Sequence, residues 1–124
     1  MSGVHPSAIV DKRAKLGAGV AVGPFTVIAG CTGISGSVKI GRNCMIGGGV
    51  GIVGHLEICD GVTISGFTLI TKSITRPGMY TSGMPASPHA EWLRNAVHLR
   101  HLDDIARAVR DRIPGGSRER DDDD

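Results

Sequence analysis

Twelve aliphatic residues recur at an interval of six: Val4, Val10, Leu16, Val22, Ile28, Ile34, Ile40, Ile46, Ile52, Ile58, Ile64 and Ile70. An α-helix repeats every 3.6 residues and a lone strand every two, so neither produces a strict six. A second column two residues earlier is small or apolar: Ala8, Ala14, Val20, Thr26, Thr32, Val38, Cys44, Val50, Leu56, Val62 and Thr68. Residues two apart on an extended strand face one side, so both columns point inward. Glycine often follows the aliphatic residue (17, 23, 41, 47), which places the turns there. A fixed short period marks a solenoid, and six is the hexapeptide β-helix period. Three hexads form the walls of one triangular coil, so the run predicts about four coils stacked at the usual strand spacing.

The expected fold class is therefore all-β, a parallel β-helix over residues 1–75 with a C-terminal α-helical cap. Nineteen glycines and four aromatic residues suit such a coil better than a sandwich or a helical bundle, whose cores need larger side chains. The six-residue register fails at Arg76, and "RPGMYTSGMPASP" reads as an exit loop over 76–87. Ser87 and Pro88 suit the N-cap and first position of helices over 88–113. Trp92, Ala96 and Leu99 share one helical face, and Leu102, Ile105, Ala106, Val109 and Ile113 share another. These faces either cover the end of the prism or pack against copies of themselves. Residues 114–124 read as a linker and charged tail. Four coils bury little per residue, so oligomerisation is expected to supply further burial.

Several function classes are excluded or disfavoured at this level. No run of eighteen apolar residues and no signal-peptide layout occur, so a cytoplasmic protein without a membrane span is expected. Cys31, Cys44 and Cys59 lack a CxxC spacing and read as reduced thiols filling small apolar spaces. A zinc site of the gamma carbonic anhydrase kind needs three converging histidines, and the hexad region offers only His5 and His55. His98 and His101 stand at i, i+3 on a helix, where a solvated face explains them better than a metal. No metal or other cofactor is expected. The glycines at 47–49 are turn residues rather than a phosphate loop. Without aromatic platforms, nucleic acid is not an expected partner.

The stretch "CTGISGSVKIGRNCMIGGGVGIVGHLEICDGVTISG", then "ITRPGMYTSGMPASP" and a terminal helix, resembles the end of the bacterial UDP-3-O-acylglucosamine N-acyltransferases. The resemblance covers about residues 30–113; residues 3–28 resemble the first hexads of that family or of its O-acyltransferase relatives. It implies a left-handed β-helix, a homotrimer, and an acyltransferase of lipid A biosynthesis that takes its acyl group from acyl carrier protein. Members are more than twice as long, with an N-terminal uridine-binding domain, more coils and a catalytic histidine in an "IAHN" motif. The opening coils here meet the final ones near Ile28-Ala29-Gly30 without a break in register. The expectation is a shortened or chimeric coil stack, natural or engineered.

In the family the histidine base stands one full coil before a glycine whose N–H helps hold the developing oxyanion. That glycine matches Gly36 in "ISGSVKI", and one coil earlier stands Ala18, which cannot accept a proton. His55 in "VGHLEI" matches a second family histidine near the same cleft. Gly36 and His55 are the candidate catalytic residues, His55 either assisting substrate binding or standing idle as an exposed histidine. Residues 72–113 hold seven Lys and Arg against four acids. In the family, basic residues near the helical end receive the acidic acyl carrier protein, which makes Lys72, Arg76 and Arg94 the candidate partner-binding residues; an ordinary solvated surface explains them equally simply. Two functions remain open: a catalytically impaired acyltransferase, and a non-catalytic engineered trimeric β-helix scaffold.

Overall fold

The computed structural model describes residues 3–114. Each hexad contributes one short strand. The first coil is β1 (Gly3–Val4), β2 (Ile9–Val10) and β3 (Lys15–Leu16). The second is β4 (Ala21–Val22), β5 (Val27–Ile28) and β6 (Gly33–Ile34). The third is β7 (Lys39–Ile40), β8 (Met45–Ile46) and β9 (Gly51–Ile52), and the fourth is β10 (Glu57–Ile58), β11 (Val62–Ile64) and β12 (Leu69–Ile70). Every strand pairs in parallel with the strand three ahead, so Gly3 meets Ala21, Ala21 meets Lys39 and Lys39 meets Glu57. The result is three flat walls: β1-β4-β7-β10, then β2-β5-β8-β11, then β3-β6-β9-β12. The fold is a left-handed parallel β-helix of about four coils.

The core is the two inward columns. Ile28, Ile34, Ile46, Ile52, Ile58 and Ile64 are buried, as are Val38, Cys44, Val50 and Val62. Val4, on the first coil, is 46% exposed because only one described coil covers it. Three threonines share the second column and are buried with their hydroxyls satisfied. Thr26 Oγ1 donates to the Gly41 carbonyl at 2.7 Å and accepts the Cys44 N–H at 3.2 Å. Thr32 Oγ1 lies within 2.8 Å of the Ala29 carbonyl, and Thr68 Oγ1 accepts the Ser82 N–H at 3.2 Å. A buried hydroxyl without a partner would cost roughly 1–3 kcal/mol; among the described residues no buried side-chain oxygen or nitrogen lacks one.

The chain turns directly after the glycines at 17, 23, 41 and 47, but the positive-φ residue stands two places beyond each of them. Positive φ occurs at 19, 25, 31, 37, 43, 49, 55, 61 and 67, a third column of period six. Six of these nine are not glycine: Phe25, Cys31, Ser37, Asn43, His55 and Phe67. The glycines at 17, 23, 41 and 47 serve close approach instead. A Cβ on Gly17 would stand 2.5 Å from the Gly36 nitrogen, and one on Gly23 would stand 2.5 Å from the Gly41 carbonyl carbon. Coils can stack this tightly at those corners only without a side chain. Of the cysteines, Cys44 is buried as expected, and burial pushes its thiol pKa up. Cys31 instead occupies a positive-φ corner and is exposed.

The chain does not leave the prism at residue 76. Ile74 bridges to Ile58 and is buried, and β13 (Gly78–Tyr80) pairs with β11, extending the second wall. The stretch expected as an exit loop over 76–87 thus carries a strand, and the compact β unit extends to Met84 rather than to residue 75. These last pairings, Ile58 with Ile74 and Val62 with Gly78, step by less than a full coil, which is why the six-residue count missed them. The second unit holds α1 (His89–Arg100) and α2 (Leu102–Arg112). Pro88 itself takes the N-cap position with φ −53° and ψ 141°, one residue later than the Ser87 expected there. Asp103 and Arg107 pair at 2.6 Å across one turn of α2. No residue of either helix is buried. The expected tail lies outside the described residues from 115 onward.

Candidate functional site

The corner between the third and first walls brings the sequence candidates together. Ala18, Gly36 and Gly54 lie one coil apart there, followed by Gly19, Ser37 and His55. The Ser37 N–H donates to the Ala18 carbonyl at 2.9 Å, and the His55 N–H donates to the Gly36 carbonyl at 3.0 Å. A Cβ on Gly36 would be 3.1 Å from the Ala18 oxygen. Position 18 therefore stacks directly against position 36. Among the described residues no acceptor meets the Gly36 N–H, and Gly36 is half-buried against Gly17 of the coil below. Ala18 is exposed at the same corner and offers only a methyl group. His55 is exposed with φ 64°, so its side chain leaves a left-handed turn.

Two grooves lie on the walls that meet at this corner, neither expected from the sequence, and the third-wall one reaches the corner at Gly17, Ser35 and Val53. On the third wall, a groove of about 440 Å³ is lined by Leu16, Gly33, Ser35, Gly51, Val53 and Leu69 among others. Its trough exists because the outward residues of β6 and β9 are Gly33 and Gly51; a Cβ at Gly33 would meet nothing within 4 Å. On the first wall, a groove of about 490 Å³ is lined by Ala21, Lys39, Gly41, Glu57, Ser73 and Thr75 among others. The third-wall groove is mostly apolar with Lys15 on its first rung, and the first-wall groove carries the charged heads of Lys39 and Glu57. Outward residues follow no hexad rule, since only the inward columns are constrained by packing. The signal that could have found the third-wall trough was glycine at 33 and 51, one coil apart on an outward column.

The partner candidates are less convergent. Lys72 follows β12 and is exposed; Arg76 is also exposed, its carbonyl accepting the Tyr80 hydroxyl at 2.9 Å. Arg94 is exposed on α1, in the separate helical unit. Among the described residues no three His, Cys, Asp or Glu side chains are grouped to hold a metal ion. No described helix is long and apolar enough to cross a membrane.

Residues 37–72 match the family described as bacterial transferase hexapeptide (six repeats). The chain is 49% identical over 118 residues to a UDP-3-O-acylglucosamine N-acyltransferase of Hahella chejuensis, covering 95% of this chain and 34% of that relative. It is 52% identical over 100 residues to the protein of the same name from Pseudomonas savastanoi pv. phaseolicola, covering 81% of this chain and 28% of that one. The chain thus spans about a third of the length of the curated relatives it matches. Among solved structures, a perosamine N-acetyltransferase mutant from Caulobacter crescentus is 18% identical with a TM-score of 0.44, over 68% of this chain and 54% of that one.

Proposed function

We propose, for a chain that carries the hexapeptide-repeat domain of bacterial transferases, that the corner at Gly36 and His55 is an acyl-transfer site. The reaction class is transfer from the thioester of an acyl carrier protein to the amine of a UDP-3-O-acylglucosamine, as the names of the relatives suggest. In that reaction the amine nitrogen bonds to the thioester carbonyl carbon. The tetrahedral oxyanion collapses, the C–S bond breaks and the thiolate leaves with its carrier. The amine proton must pass to a base or to water. The Gly36 N–H supports the reading as a donor for the oxyanion. The third-wall groove supports it as a trough walled by Leu16, Val53 and Leu69 for an acyl chain, with Lys15 also in its lining.

The observation that carries the reading is the stacking of Ala18 against Gly36. The oxyanion donor is present while the position one coil below supplies no proton acceptor. General-base assistance typically contributes 10²–10⁴-fold, so we read the site as catalytically impaired. His55 stands on the coil above and is assigned a binding role rather than the base. Lys72, Arg76 and Arg94 are proposed to steer an acidic acyl carrier protein, by an attraction that salt would weaken. The assembly is proposed to be a homotrimer working in the cytoplasm. The absent base equally favours a second reading, in which the chain is a non-catalytic, engineered trimeric β-helix scaffold.

A thioester-release assay with acyl carrier protein and the nucleotide sugar tests both readings. The unmodified chain should give no N-acyl transfer above background, and His55→Ala should change nothing. Ala18→His should give a small gain, and no gain at all would favour the scaffold. Robust transfer by the unmodified chain, abolished by His55→Ala, would overturn the impairment and make His55 the working base.

A further inference from the structure

The outward column of the third wall runs Lys15, Gly33, Gly51 and Leu69, one residue per rung. The two glycine rungs make the floor of the trough, and Lys15 and Leu69 bound it roughly 14 Å apart at the backbone. Lys15 is the one charged side chain in the lining. It is exposed, and among the described residues it enters no ion pair. Asp11, Glu57 and Asp60, the acids of the β unit, all stand outside the trough. Gly17 packs against the Gly36 nitrogen, which a Cβ there would meet at 2.5 Å. Lys15 precedes Gly17 by two residues, about 6.6 Å of strand, a distance comparable with the reach of a flexible four-carbon stem.

We propose that Lys15 is a self-acylation site, at which an acyl thioester lying in the trough transfers its acyl group to the lysine amine. The neutral Nζ bonds to the thioester carbonyl carbon and the C–S bond breaks. The departing thiolate takes up the proton that the nitrogen sheds, leaving an amide on Lys15 and a free thiol. The nucleophile brings its own lone pair, so the missing base at Ala18 is no obstacle. Lys12, Lys39 and Lys72, the other lysines of the chain, are equally exposed but lie outside the trough. Only Lys15 gains from the proximity that a chain held over Gly33 and Gly51 provides. The product lays its own acyl chain along that floor, so the reaction fills the trough and stops at one group per chain. The assignment rests on the acyl-trough part of the transfer reading and needs neither the carrier protein nor the nucleotide sugar.

The test is incubation of the full chain with the dodecanoyl and acetyl thioesters of N-acetylcysteamine, read by intact-mass and peptide mass spectrometry. The dodecanoyl thioester should add one group per chain, on Lys15 at least about tenfold ahead of the other three lysines, a small share of what proximity can supply. The acetyl thioester, with no chain to seat, should show no such preference. Lys15→Arg should abolish the single dodecanoyl addition. Gly33→Leu fills the floor at a position where a Cβ meets nothing within 4 Å, and should bring Lys15 down to the level of the other lysines. Dodecanoyl groups spread evenly over the four lysines, or a preference that survives Gly33→Leu, would overturn the assignment. Calorimetry with the unreactive dodecyl thioether of N-acetylcysteamine separates the two readings. Binding without selective labelling would sink the Lys15 assignment alone, and no binding would sink the acyl trough with it. Selective labelling in a chain that transfers nothing to the nucleotide sugar would uphold the assignment and sink only the transfer reading.

Discussion

A methyl group added at Gly17 would meet the Gly36 amide nitrogen at 2.5 Å, whereas one added at Gly33 would meet nothing. Both are glycine-to-alanine changes in the same wall, so they separate close approach from backbone freedom. Gly17→Ala should cost roughly 1–3 kcal/mol, as overpacking does, and Gly33→Ala should stay within about 0.5 kcal/mol; urea midpoints for the two proteins check this. The sequence reading took such glycines for turns because glycine is the commonest turn former. The positive-φ column was hidden because it holds Phe25, Cys31, Ser37 and Phe67, residues that rarely adopt positive φ. Each costs of order 1 kcal/mol, held in place by the coils on either side. The stacking of Ala18 on Gly36 was legible because it depends only on counting in whole coils, whereas the roles given to Gly36 and His55 come from the resemblance alone. The grooves depend on which outward side chains are small or charged, and no period governs those.

At the scale of elements, the two inward columns were readable throughout, since burial forces a residue type at every sixth position. Ile46 on β8 is 2% exposed and pairs with Ile28 and Ile64 on the coils either side. Ile46→Asp would place a carboxylate there without a partner, and a loss of several kcal/mol should follow. The check is a thermal melt: the variant should lack the cooperative transition of the parent, and a transition near the parent temperature would mean that the column is misplaced. The count stopped at Ile70, however, while the β-structure continued through Ile74 and β13 by a shorter step. Hydrogen bonding tolerates this because a rung needs only a neighbouring strand at the right height. The helices were legible in position, but one-face periodicity cannot say what covers a face. Trp92, Leu102, Ile105 and Val109 are between 42% and 56% exposed.

For the whole molecule, Ile9, Met45 and Leu69 on the walls are each more than half exposed, in addition to those helical residues. Monomeric proteins seldom leave so many large apolar side chains in water over so small a body. Light scattering at micromolar concentration should therefore give a mass of roughly three times 12.9 kDa, and a folded monomer would refute the trimer. The stacking order carries a different consequence. Since each strand of the walls bonds only to the strands directly above and below it, height is a copy number rather than a property of any one residue. Duplicating residues 39–56 would repeat a whole storey and leave every bond above and below it unchanged. An insertion one residue short of that would turn each inward isoleucine beyond it toward water. Such a molecule can gain or lose floors in evolution at little cost, provided the change is counted in whole storeys.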